Sequence, residues 1–333
     1  MKHYAYILLA LILVSCGPSD GRFRLEGQFK NLNQGEFYIY DYEQGTKDTI
    51  GVRDGRFVYD VPLHDTLVLT LMFPNYSELP IFARPGTEVK IDGDVSHLRD
   101  VDVSGTDENE QMTAFRIRTN DMMPPEVQQQ AVQFISQNLQ SPVSIYLLRR
   151  YCLLTQEPDY KQCYELCQQM LEVQPTNIPL VRLSTQLQSL YNMRDSGQLP
   201  SFSATDTEGR EVSEQHLKSK ANIIYLWASW DYSSQSTMRQ LHVLKKKHGN
   251  NLSIVTIALD SSPAEGENLL KSDSITWPNI CDGQLWQSPI LQQLGLVTLP
   301  AAIVINGQGN IVGRAADYLG IKELVETLLE PAD

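Results

Sequence analysis

Two apolar runs, Asn222 to Ala228 and Leu252 to Leu259, are of strand length and hold no charged residue. A run of that kind suits a strand covered on both faces, as in a parallel sheet flanked by helices, rather than a sheet with one wet face. Over residues 197–333 the pattern alternates strand and helix around these two runs. Ala301 to Ile305 and Asn310 to Gly313 read as two further strands joined by Asn306-Gly307-Gln308-Gly309. A closing helix follows, with Ile321, Leu324, Val325, Leu328 and Leu329 on one face at the 3.6-residue period. Parallel strands, a hairpin and a final helix predict an α/β sandwich.

A chain of 333 residues exceeds one small core and calls for two to three units of about 100–150 residues. Residues 21–106 are expected to form a β-rich domain. Arg22 to Lys30 alternates apolar and polar residues, and shorter strands are predicted at Glu36 to Asp41, Arg56 to Val61, Leu67 to Met72, Glu88 to Ile91 and Val101 to Val103. An antiparallel sandwich or curled sheet fits these strands. Residues 107–196 change character, with no glycine between Gly105 and Gly197. Prolines there punctuate runs of helical length, including Pro142 to Leu154, Asp159 to Val173 and Leu180 to Met193. This stretch is expected to be a helical connector. The fold class is therefore α+β multidomain: an antiparallel β domain, helices, then the α/β sandwich.

Residues 1–16 read as a targeting segment, with Lys2 ahead of an apolar stretch from Tyr4 to Val14 that is short for a bilayer span. Leu13-Val14-Ser15-Cys16 resembles a bacterial lipobox, which implies a diacylglycerol on Cys16. The expectation is a cell-envelope lipoprotein, anchored at Cys16 to the inner or outer membrane and facing the periplasm or the cell surface. A net charge of −13 argues against nucleic-acid partners, and Lys245-Lys246-Lys247 fits a solvated helix C-terminus. Beyond Cys16 the chain has Cys152, Cys163, Cys167 and Cys281. An antiparallel helix hairpin about Glu157-Pro158 would set Cys152 opposite Cys163, so the spacing allows a structural disulfide between them. Cys163 and Cys167 share a helix face but are poorly placed to bond each other, and Cys281 is expected to be a lone buried thiol. No cysteine pair has zinc-site spacing and the histidines are scattered, so no metal or other cofactor is expected.

Several separate motifs carry a family likeness. Leu199-Pro200-Ser201-Phe202 with Asp206-Thr207-Glu208-Gly209, then Ile224 to Trp230, then Met238 and Leu241, and finally Leu299-Pro300 after Gly295-Leu296-Val297 resemble the thioredoxin-like domain of envelope thiol–disulfide interchange proteins. That group includes TlpA, ResA and the AhpC/TSA-like proteins. The likeness spans residues 197–333 and implies a cis-proline loop at Leu299-Pro300. Residues 22–104 resemble the β-rich domain of unknown function that precedes such domains in lipoproteins of Bacteroidota type.

Departures fall where the chemistry would sit. Where relatives carry the attacking and resolving cysteines, this chain has Asp231 and Ser234. A helix N-terminus lowers the pKa of an attacking thiol there by about one to several units, and a second thiol resolves the mixed disulfide. Neither a carboxylate nor a hydroxyl can do either, so no catalytic residue is expected at these positions. Asp and Ser instead suit a helix N-cap. Recognition could survive, with the Leu299 backbone pairing an extended peptide and Trp230 and Tyr232 lining the groove. The preferred expectation is a redox-inactive module for an unknown peptide or protein ligand. Two alternatives are a thiol–disulfide oxidoreductase or peroxidase-like enzyme using Cys281 or the Cys152, Cys163 and Cys167 group, and a structural part of an envelope assembly.

Overall fold

A computed structural model describes residues 21–155 and 158–329, with the backbone alone for 192–196. The targeting segment and Cys16 lie outside the described residues. The chain divides into two compact units, the first ending at Asp121 and the second running from Met122, with Glu43–Thr46 counted in the second.

In the first unit, β1 (Arg22–Lys30), β2 (Gln34–Asp41), β3 (Thr46–Arg53), β4 (Arg56–Pro62), β5 (Leu67–Met72), β6 (Glu78–Ala83), β7 (Glu88–Asp94) and β8 (Asp102–Ser104) form one sheet. Its order is β6-β5-β2-β3-β4-β1-β7-β8. β1 pairs antiparallel with β4 and parallel with β7, where Leu25 lies opposite Val89, and the β2–β5, β3–β4, β5–β6 and β7–β8 pairs are antiparallel. Alternation in β1 buries Phe23, Leu25, Gly27 and Phe29 on one face. Their core is aromatic: Phe29 meets Phe37 and Phe73 edge-on at 5.5 Å, and Phe37 meets Phe57 the same way. Gly27 is required in that packing, because a Cβ there would sit 1.9 Å from the Phe57 ring. Helix α1 (Asp107–Thr119) closes the unit; Thr106 caps it, and Asn109 bonds both the N–H and the C=O of Phe82.

The second unit begins with α2 (Pro124–Gln137) and α3 (Pro142–Leu147), which runs on into a π turn (Leu148–Leu153). Leu154 N–H bonds to Arg149 C=O there, the wider closure of a π helix. Helices α4 (Tyr160–Val173), capped by Asp159, and α5 (Ile178–Ser196) pair as a hairpin. Of the helices expected between 107 and 196, the first therefore belongs to the sheet unit and the rest to the second unit.

A two-stranded ribbon, β9 (Ser203–Thr205) and β10 (Glu211–Ser213), turns at Asp206 to Gly209. Asp206 accepts the N–H groups of Glu208 and Arg210 there. Strands β11 (Ala221–Trp227), β12 (Leu252–Ala258), β13 (Asn279–Ile280), β14 (Ala301–Asn306) and β15 (Ile311–Ala315) make a five-stranded sheet in the order β13-β12-β11-β14-β15. β11, β12 and β13 run parallel, while β14 and β15 are antiparallel. Between them come α6 (Tyr232–His248), α7 (Pro263–Ser272) and α8 (Pro289–Leu294), and α9 (Tyr318–Leu329) follows the last strand. β11 is buried at every residue, as its apolar run predicts. One of its faces packs Ile223, Tyr225 and Trp227 with Met238, Leu241 and Leu244 of α6 and Ile321 and Val325 of α9. The basic run ends α6 as expected: Lys245 Nζ donates to the Gly249 and Leu252 carbonyls beyond the last turn.

Candidate functional site

β11 ends at Trp227, and residues 228–230 carry the chain into α6. β14 runs antiparallel beside it with Ala301 opposite Leu226. The turn after Trp227 and the Leu299-Pro300 peptide ahead of β14 therefore leave the sheet at the same end of neighbouring strands. That peptide is cis. Arg314 of β15 steadies its approach, donating to the Leu294 and Gly295 carbonyls at 2.8 and 3.0 Å where α8 ends.

Asp231 is the N-cap of α6. Its backbone is extended, at φ −94° and ψ 117°, and its carboxylate accepts the Ser234 N–H at 2.6 Å. The negative charge meets the positive end of the helix dipole. Ser234 closes the circuit: its Oγ accepts the Ala228 N–H at 3.1 Å, and the Ala228 and Asp231 carbonyls stand at 3.1 Å to take its proton. No base is among these partners, and the residue is fully buried. Tyr225 donates its hydroxyl to the Ser234 carbonyl from behind, with burial holding its pKa well above the usual value. Replacing Asp231 by Ala should remove the cap and lower the stability of the second unit by about 1 kcal/mol. All four tryptophans lie in this unit, at 227, 230, 277 and 286. Urea unfolding followed by tryptophan fluorescence therefore reads the effect, and an unmoved midpoint would count against the capping role.

The aromatic expectations divide. Trp230 is 8% exposed and donates its indole N–H to the Leu259 carbonyl at 3.1 Å. Its ring is therefore mostly covered, with the indole N–H already engaged. Tyr232 is 41% exposed. Leu299 and Pro300 are half-buried. The Leu299 N–H and C=O stand outside the β11–β14 ladder and make no backbone hydrogen bond among the described residues.

Sequence reasoning missed Asp260. The residue lies two positions beyond the end of β12 and is 1% exposed; its Oδ1 accepts the Ser229 N–H at 2.9 Å. Oδ2 is buried without a hydrogen-bond partner. Burial pushes its pKa up to about 6, against the pull of the Ser229 hydrogen bonds, and the nearby Glu265 charge adds to the rise. With Leu259 holding the Trp230 indole and Asp260 holding the Ser229 amide, the turn after β12 braces the turn after β11. The available signal was a lone carboxylate at the C-terminal end of an apolar strand.

Cys152, Cys163, Cys167 and Cys281 stand as thiols in this structure. Cys281 is half-buried rather than fully buried as expected, and its Sγ–H points at the Asp260 carbonyl at 3.7 Å. Burial pushes its pKa up to about 11, with the Asp260 and Asp282 charges adding to the rise. A thiol in that state is mostly protonated near neutrality, the reverse of an activated nucleophile.

Two family models match the chain. Residues 219–311 match a family model described as thioredoxin-like, and residues 23–112 match a domain of unknown function, DUF4369. The thiol-disulfide oxidoreductase ResA of Bacillus thuringiensis (strain Al Hakam) is 24% identical over 122 residues, covering 36% of this chain and 68% of that protein. A thiol-disulfide oxidoreductase from Bacteroides fragilis NCTC 9343 is 24% identical, with a TM-score of 0.36, over 39% of this chain and 98% of the other. The C-terminal domain of a Bacteroides thetaiotaomicron protein titled a putative thiol-disulfide oxidoreductase is 26% identical, with a TM-score of 0.36, over 40% and 95%.

Proposed function

We propose that this chain, which joins a DUF4369 domain to a thioredoxin-like domain of the thiol–disulfide oxidoreductase family, is a redox-inactive binding module of the bacterial envelope. The observation that carries the reading is the closed hydrogen-bond circuit of Asp231 and Ser234. It occupies the helix N-terminus where the thiol of an active relative would stand, and it holds no group able to exchange electrons with a disulfide. The raised pKa of Cys281 and the burial of Cys152, Cys163 and Cys167 support the same reading.

The ligand class is suggested by the Leu299 backbone, which stands outside the β11–β14 ladder. An extended polypeptide pairs its backbone with the Leu299 N–H and C=O as an added strand. Lipidation at Cys16 would hold the module at a membrane surface, each buried methylene adding about 0.8 kcal/mol. No helix among the described residues is long and apolar enough to cross a membrane.

Two measurements test the proposal on the full chain. Insulin reduction by dithiothreitol and peroxide consumption should stay at background; activity that disappears in Cys281→Ser would restore the enzyme reading. Titration with unfolded, carboxymethylated α-lactalbumin should shift the Leu299 amide resonance. An unmoved Leu299 signal at saturating polypeptide would remove the groove.

A further inference from the structure

Three of the four described cysteines lie on two elements that pack against each other. Cys152 lies in the π turn, Cys163 and Cys167 lie on α4, and α4 packs against that turn. None is more than 1% exposed. Burial raises the Cys163 thiol pKa first, and the nearby charges of Cys152, Asp159 and Cys167 raise it further. Cys163 and Cys167 sit one turn apart on a single helix, where side chains lie one above the other instead of converging on disulfide geometry. The Cys167 thiol is also directed at the Leu180 carbonyl of α5, 3.7 Å away. Cys152 is the remaining partner for Cys163.

We propose that Cys152 and Cys163 form a disulfide that staples the π turn to α4, leaving Cys167 and Cys281 as thiols. The oxidant is an external disulfide, RSSR, of the kind an oxidising compartment supplies. The thiolate of one cysteine attacks RSSR, forming a mixed disulfide and releasing one RSH. The second cysteine then displaces the remaining RSH and closes the protein bond. Two protein thiols are oxidised, RSSR is reduced, and both protons leave on the two RSH molecules. Burial keeps these thiols protonated in the folded chain, with Cys152 pushed up to about 11. The exchange therefore belongs to folding, and the finished bond is structural. It stands or falls independently of the groove.

The test uses the full chain produced in an oxidising bacterial periplasm, purified without reductant and alkylated before peptide mapping. A Cys152–Cys163 linked peptide pair is expected, with Cys281 alkylated in the native protein and Cys167 only after denaturation. The Cys167→Ser variant should keep the link, so the result does not depend on whether Cys152→Ser or Cys163→Ser folds. Four alkylated thiols without reductant, or a link from either residue to any other cysteine, would overturn the proposal.

Discussion

Replacing Asp231 and Ser234 together by cysteine is expected to raise insulin-disulfide reduction at least about tenfold above the unchanged protein, which should show background alone. The estimate rests on the thiolate fraction. A free cysteine of pKa about 8.5 is a few per cent ionised at neutral pH, whereas one at a helix N-terminus falls to about 7 or below and is half ionised or more. Position 231 has that setting already, since its carboxylate accepts the Ser234 N–H at the head of α6. A thiolate there keeps a negative charge against the same dipole, so the variant loses only part of the cap. Position 234 lies one turn on, with its Oγ facing residues 228 and 231, as a resolving sulfur must. Asp231→Cys alone should trap mixed disulfides without turnover, and Ser234→Cys alone should remain silent. A folded double variant with no activity would mean that the scaffold lacks more than its sulfurs.

Asp260→Asn should stabilise the second unit by about 1–3 kcal/mol at pH 7.5 and flatten its pH dependence. The carboxyl has a folded pKa of about 6 against an ordinary value of 3.8. The folded state thus holds the proton more firmly than the unfolded one. The contribution of Asp260 to stability is therefore most favourable below about pH 4, falls as pH rises from about 4 to about 6, and is level above that. The full span corresponds to about 3 kcal/mol at 1.36 kcal/mol per unit. The amide keeps an oxygen for the Ser229 N–H and carries no charge to desolvate, though its NH2 inherits the unpaired place of Oδ2. Urea midpoints by tryptophan fluorescence at pH 5 and pH 7.5 decide the matter. A variant less stable than the original at pH 7.5 would show that the carboxylate is paired in solution.

Much of this architecture is local and could be read directly. β1 and β5 match their predicted bounds because alternation and apolar density mark them, and the Asp231 cap needs only residues 231 to 234. β3 escaped because its first four residues, Thr46 to Thr49, are exposed and polar, leaving no alternation to see. β6 escaped because Pro80 interrupts it; the strand lies at the sheet edge, where a missing N–H is tolerated. The choice of a single sheet over a sandwich, and its parallel β1–β7 pair, depend on a contact more than sixty residues apart. Trp230 illustrates the same limit at the site. Its indole is satisfied by Leu259, 29 residues away, and no pattern around position 230 signals that.

The seat of β1 has a consequence for anyone trimming this chain. The first described strand is not the rim of its sheet but an inner stave, flanked by β4 on one side and β7 on the other. During synthesis it can zip to β4 early, yet one edge stays bare until residue 94 has emerged. A truncation that reaches past Arg22 therefore splits the sheet from within, stranding β7 and β8 from the other five strands.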